Sequence, residues 1–150
     1  MQQNYEDLQK KIEYRFCDID LLLTALTHSS YLHEKNLEKS KCNERFEFLG
    51  DAVLECVSSD YLFIEYPDYD EGKLTKLRSK LVSRQSLNAI AKKLGLDKHI
   101  ICSRSISATQ KHLYGDAFEA MMGAIYLDQG YNFANRLLIN NIYSENLSLE

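Results

Sequence analysis

The chain contains a single proline, Pro67, and only six glycines among its 150 residues. Because these two residue types interrupt regular structure most strongly, their scarcity leaves room for long helices. Apolar residues recur at helical spacing in most segments, and strand-like alternation never persists for more than a few residues. The pattern therefore predicts an all-α fold in one compact domain, for which 150 residues are a suitable length.

Hydrophobic periodicity and capping residues define the predicted helices. Asp18 or Asp20 would begin one helix and Asn43 another, whereas Gly95 would follow the end of a third. We predict helices over residues 4–16, 18–28, 43–65, 72–83, 86–95, 114–130 and 132–147, and loops over 33–42 and 102–112.

Composition narrows the class of protein. The chain has no run of 18 apolar residues to cross a membrane, and it does not start like a secretory signal. The four cysteines form no CxxC pair, and their wide spacing fits neither a zinc site nor a small disulfide scaffold. We therefore expect a cytoplasmic protein with reduced cysteines and no membrane partner.

Basic side chains concentrate between Gly72 and Lys98, although the chain as a whole carries a net charge of −4. Eight of its eighteen lysines and arginines lie there: Lys73, Lys76, Arg78, Lys80, Arg84, Lys92, Lys93 and Lys98. Such clustering is typical of a surface that binds a polyanion. It is equally typical of a solvated helix face, and charge alone leaves both interpretations open.

The helix predicted over 43–65 carries a row of carboxylates. Its segment NERFEFLGDAVLE places Glu44, Glu47 and Asp51 at spacings of three and four, on one helix face. The apolar stripe around Val53 lies about 180° away on the wheel. Like charges at this spacing repel one another, so the row is either a wet surface or a site at which something offsets the repulsion.

Phe48 is the exception on that helix. At about 100° per residue it falls about 40° from Glu44, among the acids and far from the core stripe. A large apolar ring is not left exposed without reason. Either another helix of the same chain or a second subunit is expected to cover it.

The helix predicted over 114–130 carries a second acidic pair, Asp116 and Glu119, again on one face. The helix is otherwise strongly apolar and contains no lysine or arginine, which indicates a nearly buried element. A buried carboxylate is normally neutralised by a proton, a cation or a metal. If the two acidic faces meet, they form a site of hard oxygen ligands that favours Mg²⁺ or Mn²⁺; the alternative is two unrelated surface features.

Several segments resemble a known family. NERFEFLGDAVLE is similar to the signature of the ribonuclease III family, and GDAFEAMMGAIYLD is similar to its second characteristic stretch. LLLTALTHSSY and YPDYDEGKLTKLRSKLVS also resemble family segments, in the expected order, so the resemblance spans residues 5–143. A match of this extent is far more specific than a lone short motif.

The resemblance implies an all-helical endonuclease domain that forms a symmetric dimer and cuts double-stranded RNA. It implies Mg²⁺ as cofactor, with Mn²⁺ able to substitute, and no organic cofactor. The expected products carry 5′-phosphate and 3′-hydroxyl ends with short 3′ overhangs, in the processing of ribosomal and other RNA. Lys73, Lys76 and Arg78 would contact phosphates and recognise A-form shape rather than sequence.

The resemblance also implies roles for individual residues. The side chains that match its metal-binding core are Glu47, Asp51, Asp116 and Glu119. Asp51 and Glu119 match the pair named as catalytic. Glu44 and Glu71 match two supporting acidic positions of the cleavage valley. Phe48 matches an aromatic plug that enters a socket on the partner subunit.

Other positions are expected to matter less. Gly115 stands where many family members carry alanine, a difference of little expected consequence. His28 would form only helix-end hydrogen bonds, and Glu55 would be solvated. The endonuclease domain is expected to fill residues 1–150, with no double-stranded RNA-binding domain among them.

Two rival functions remain. One is a catalytically silent RNA-binding or ribosome-associated scaffold with the same fold, and every expected carboxylate is present, which counts against it. The other is a plain helical dimerisation module, against which the basic cluster and the unpaired acids count. Mg²⁺-dependent cleavage of a plain RNA duplex would separate all three.

Overall fold

The computed structural model of the protein describes residues 5–106 and 112–140. Within these ranges the regular structure consists of α-helices, two short 3-10 turns at Lys39–Lys41 and Leu96–Lys98, and an isolated bridge between Thr27 and Ile101. The helices are α1 (Glu6–Ile12), α2 (Ile19–Leu26), α3 (Ser29–Lys35), α4 (Glu44–Glu65), α5 (Glu71–Leu81), α6 (Arg84–Lys93), α7 (His112–Gln129) and α8 (Tyr131–Leu138). The all-α prediction is confirmed.

Side-chain caps place several helix ends where the sequence predicts them. Asp18 Oδ1 accepts a hydrogen bond from the Asp20 N–H at 3.1 Å and begins α2. Asp70 Oδ1 accepts from the Lys73 N–H at 2.9 Å and begins α5 one residue earlier than expected. Gly95, with φ of 80°, follows α6 in the left-handed conformation that suits glycine.

Two predictions near the N-terminus were wrong. α1 ends at Ile12 rather than at residue 16, because Glu13 adopts a left-handed conformation with φ of 56°. α3 extends into the stretch 33–42 that was predicted as a loop. His28 caps this helix by accepting the Ser30 N–H on Nδ1 at 3.1 Å. Histidine is not a common N-cap residue, so the start of α3 was not predicted.

Asn43 precedes α4, as predicted, but its side chain does not cap the helix. Its Nδ2 donates to the Ala25 carbonyl at 3.2 Å, and its N–H donates to the Thr27 carbonyl at 2.9 Å. Asn43 therefore ties the start of α4 to the end of α2 and fixes where the carboxylates of α4 begin.

α7 is the central helix, and the prediction that it is nearly buried is confirmed. Its fully buried side chains include Phe118, Met121, Met122 and Ile125. A Cβ added to Gly50 of α4 would overlap the Glu119 carbonyl oxygen of α7. A Cβ added to Gly123 would lie 2.5 Å from the Phe46 carbonyl oxygen. The two helices approach this closely only because both contact positions are glycine.

The C-terminal predictions are met in part. α7 begins two residues earlier than the predicted range 114–130 and ends before Gly130, as expected. α8 occupies the start of the predicted helix 132–147, whose remainder beyond residue 140 lies outside the described residues, as do positions 107–111 of the predicted loop. Among the described helices, none is both long and apolar enough to cross a membrane.

Candidate metal centre

The close crossing of α4 and α7 brings three carboxylates together. Glu47 lies about one turn before Gly50, and Gly50 packs on the peptide group of Glu119. One carboxylate oxygen from each of Glu47, Asp116 and Glu119 lies within 4.8 Å of the others. All three residues are partly buried. Residues far apart in the sequence thus form one acidic cluster.

The other predicted acidic residues lie around this cluster or outside it. Asp51 is exposed beside Glu119, close enough to hydrogen-bond to its carboxyl group. Glu44 is exposed at the first position of α4 and is near enough to act on Glu47 electrostatically. Glu71 is exposed at the first position of α5 and is not part of the group whose oxygens meet.

Burial and mutual repulsion favour protonation of the cluster. Burial, followed by the charges of Asp116 and Glu119, raises the pKa of Glu47 to about 8. Burial, followed by the charge of Asp51, raises the pKa of Glu119 to about 7. Burial also raises the pKa of Asp116 above its usual range. Full ionisation at neutral pH is therefore costly unless a cation is present.

Arg84 and two histidines lie near the cluster and act on its carboxylates. The charge of Arg84, at the first position of α6, opposes the rise in the pKa of Asp116 and of Glu119. His112 and His28 act on Asp116 in the same sense. These neighbours were not predicted, because α7 carries no lysine or arginine and the sequence pattern does not show which side chains of other elements pack beside it. An arginine at the start of an amphipathic helix was the available signal, but its packing partner could not be read from the pattern.

The donor set of the cluster fits a hard divalent cation. It offers three carboxylates and no histidine or cysteine, and oxygen ligands of this kind suit Mg²⁺, Mn²⁺ or Ca²⁺. A bound cation would offset the repulsion that raises the pKa of Glu47 and Glu119. Because metal ligands must be deprotonated, binding would release protons.

Phe48 is 84% exposed, so no other helix of the described chain covers it. This observation removes one of the two explanations for its position among the acids. A second subunit is the explanation that remains.

The three predicted phosphate-binding residues have different surroundings. The Lys73 Nζ lies 4.1 Å from the centre of the Tyr69 ring. Lys76 is exposed. Arg78 is half-buried, and its Nη1 donates to the Ser59 Oγ of α4 at 3.0 Å. They therefore do not form one uniform basic face.

Comparison with known proteins supports a family assignment. Residues 18–146 match a family model described as ribonuclease-III-like. A relative named Ribonuclease 3 from Oleidesulfovibrio alaskensis is 44% identical over 91% of this chain and 61% of its own length. One from Clostridium tetani is 43% identical over 93% of this chain and 60% of its own. The chain thus spans about three fifths of the length of these relatives.

Solved structures agree with the sequence matches. The nuclease domain of ribonuclease III from Campylobacter jejuni has a TM-score of 0.87 at 37% identity, covering 99% of this chain and all of that one. A second structure of that domain, described as flexible in a region involved in dimer formation, has a TM-score of 0.84 at 39% identity, covering 93% and 96% of the two chains. The chain therefore belongs to the ribonuclease III-like family.

Proposed function

We propose that the protein is a metal-dependent endoribonuclease that cleaves double-stranded RNA. The observation that carries this proposal is the cluster of Glu47, Asp116 and Glu119, whose oxygens lie within 4.8 Å of one another. The substrate class is supported by the chain's membership of a family whose relatives are named Ribonuclease 3.

Each acidic residue has a proposed role. Glu47, Asp116 and Glu119 hold the cation together with Asp51, which lies beside Glu119. Asp51 and Glu119 form the catalytic pair, in which the exposed Asp51 carboxylate would accept a proton from water. Glu44 and Glu71 would support the valley through which the RNA passes. When bound, Mg²⁺ or Mn²⁺ would neutralise charge developing on the phosphate and make water more nucleophilic.

The proposed products follow from symmetry and from the reaction class. Water would attack the phosphorus and the P–O3′ bond would break, so that the 3′ oxygen takes up a proton and the phosphate stays on the 5′ side. Two sites related by a two-fold axis would cut both strands, with the proposed short 3′ overhang. Ribosomal RNA is the proposed natural substrate among others. The phosphate contacts of Lys73, Lys76 and Arg78 would make binding sensitive to salt.

We also propose a symmetric dimer in which a second copy covers Phe48. A cleft of about 610 Å³ reaches Glu44, one helical turn from Phe48, and its lining includes Leu32, Leu37 and Cys42. Ring and cleft therefore lie side by side on one face, so a two-fold axis lets each subunit give one ring and receive one. The region involved in dimer formation in the Campylobacter jejuni nuclease domain gives a precedent.

Cleavage of a plain RNA duplex tests the enzymatic proposal. Wild type should cleave it with Mg²⁺ but not with EDTA. Glu119→Gln should lower the rate by more than about 100-fold, because even the outer contacts of a metal ligand are worth about 10- to 100-fold. The matched control is Glu55→Gln, an exposed residue of α4, which should cleave like wild type. Near-normal cleavage by Glu119→Gln would refute the assignment of this residue.

Sedimentation tests the dimer. Phe48→Ala should shift the protein toward monomer while leaving it helical, since truncating a buried Phe costs about 3–5 kcal/mol and the loss occurs twice per dimer. Phe63, on the same helix and 73% exposed, supplies the control Phe63→Ala. A Phe48→Ala protein that is as dimeric as wild type at low micromolar concentration would show that the ring is not the plug.

The silent scaffold is the weaker alternative, because a protein that no longer binds metal has no need of three partly buried carboxylates. We also propose that the protein is located in the cytoplasm. All four cysteines are free thiols, the state expected in a reducing compartment.

A further inference from the structure

A close contact between Asn88 and Gly115 joins α6 to α7. The Gly115 N–H donates to the Asn88 Oδ1 at 2.8 Å. A Cβ added at Gly115 would lie 2.6 Å from that oxygen and 3.3 Å from the Leu87 Cβ. The glycine was expected to be a neutral replacement for alanine, but alanine would force the Asn88 side chain to move.

Arg84 lies on the face of α6 that makes this contact, near the acidic cluster. Arg84 and Asn88 are four residues apart in α6, so they lie on the same face, one turn from each other. Asn88 bonds to Gly115, and Asp116 is the next residue of α7. A cleft of about 210 Å³ lies here, lined by Arg84, Asp116 and Glu119 together with Val82, Leu87 and Gly115.

Arg84 shares this cleft without being paired in it. In the described part of the chain, Arg84 forms no ion pair within 4.0 Å with Asp116 or Glu119. Its side chain is exposed. Its charge nevertheless acts on both carboxylates. The guanidinium thus stands near the cluster with its donors available.

We propose that Arg84 binds the RNA phosphate that enters the cleft at the carboxylate cluster. The inference rests on the proposed function and adds a substrate-binding residue to it. A guanidinium presents a planar fork of N–H donors that matches two phosphate oxygens. The carboxylates repel a phosphate, and Arg84 supplies attraction on the wall beside them without occupying a metal ligand.

The rival role for Arg84 is that of a counter-ion for the carboxylates. The two roles make opposite predictions for metal binding. A phosphate-binding Arg84 repels the incoming cation, so its removal should leave metal affinity unchanged or raise it. If Arg84 instead holds the cluster together as a counter-ion, its removal should weaken the metal response.

The test measures duplex RNA binding and metal binding separately, using Arg84→Gln and the control Arg136→Gln. Arg136 is an exposed arginine of α8 that stacks on Phe133, outside the basic segment. Binding is measured in Ca²⁺, which takes the same oxygen ligands with looser geometry, and gels check that the duplex stays intact. The metal response is the rise in melting temperature of the RNA-free protein as Ca²⁺ is added.

The expected result is a loss of affinity with a smaller salt dependence. Arg84→Gln should raise the Kd for the duplex about five- to tenfold and reduce the slope of log K against log salt by about one. Arg84→Lys, which keeps the charge without the fork, should lie between it and wild type. Arg136→Gln should stay within about twofold of wild type, and the Ca²⁺ response of Arg84→Gln should be at least as large as that of wild type.

Two results would overturn the proposal. Arg84→Gln could match Arg136→Gln in both Kd and salt slope, or it could lose the Ca²⁺ response. Failure of the proposed function looks different, because wild type itself would then show no Mg²⁺-dependent cleavage, whether or not it binds the duplex.

Discussion

The acidic cluster and the basic segment 73–98 differ in how they are built. The acids come from α4 and α7, far apart in the sequence, yet oxygens of Glu47, Asp116 and Glu119 meet within 4.8 Å. The basic residues are neighbours in the sequence, yet Lys73 lies on the Tyr69 ring and Arg78 bonds to Ser59.

Helix packing explains this difference. Two glycine contacts fix the α4–α7 crossing, so the acidic faces can meet in only one way. α5 and α6 are two separate helices, and on α5 Lys73 and Lys76 share a face at a spacing of three, whereas Arg78 lies on another side of the helix and bonds to Ser59. Clustering of charge along a sequence therefore predicts a binding surface poorly. Charge on a helix face that must be buried predicts a site well.

The largest expected effect comes from opening the glycine contact. Gly50→Ala should lower the free energy of unfolding by about 3 kcal/mol, because the new Cβ overlaps the Glu119 carbonyl in a packed interior. Urea unfolding measures it, with Gly72→Ala as control. The nearest neighbour of a Cβ at Gly72 is 3.6 Å away, so alanine there should be neutral or stabilise by up to about 1 kcal/mol. Equal stability of both variants would show that the crossing is not fixed by close contact.

The pH dependence of melting should report the acidic cluster. Glu47 and Glu119 have a usual pKa of 4.5, raised to about 8 and about 7 in the fold. The folded state therefore binds more protons than the unfolded state in this range, so stability should fall as pH rises from about 4.5 to about 8. Mg²⁺ should reduce the fall, because it stabilises the ionised carboxylates. A melting temperature in EDTA that rises steadily over this range would contradict the burial of these groups.

The smallest effects belong to the basic segment. Lys76→Gln should weaken duplex binding about twofold and leave unfolding within about 0.5 kcal/mol of wild type, since Lys76 is exposed. Arg78→Gln should weaken binding and also lower stability by about 1 kcal/mol, because its bond to Ser59 is lost. Filter binding and urea unfolding separate the two effects. Identical behaviour of the two variants would restore the simple picture of one basic face.

Sequence patterns predicted the elements of the site better than its surroundings. The spacing of Glu47 on α4 and of Asp116 and Glu119 on α7 sets helix faces, which are local properties. The approach of Arg84 follows from the packing of α6 on α7, where Asn88 bonds to Gly115, and such a tertiary contact has no periodic signal. α3 was missed for a related reason, since its cap is a histidine nitrogen rather than a residue common at helix starts.

Calorimetric titration of Mn²⁺ at pH 7, in two buffers of different ionisation enthalpy, tests the metal centre most directly. Wild type should bind the cation and release about one proton, because Glu47 and Glu119 are partly protonated without it. Glu55→Gln should behave identically, whereas Glu119→Gln should lose most of the binding. Binding that is equally strong in Glu119→Gln, or absent from wild type, would contradict a metal centre at the crossing of α4 and α7.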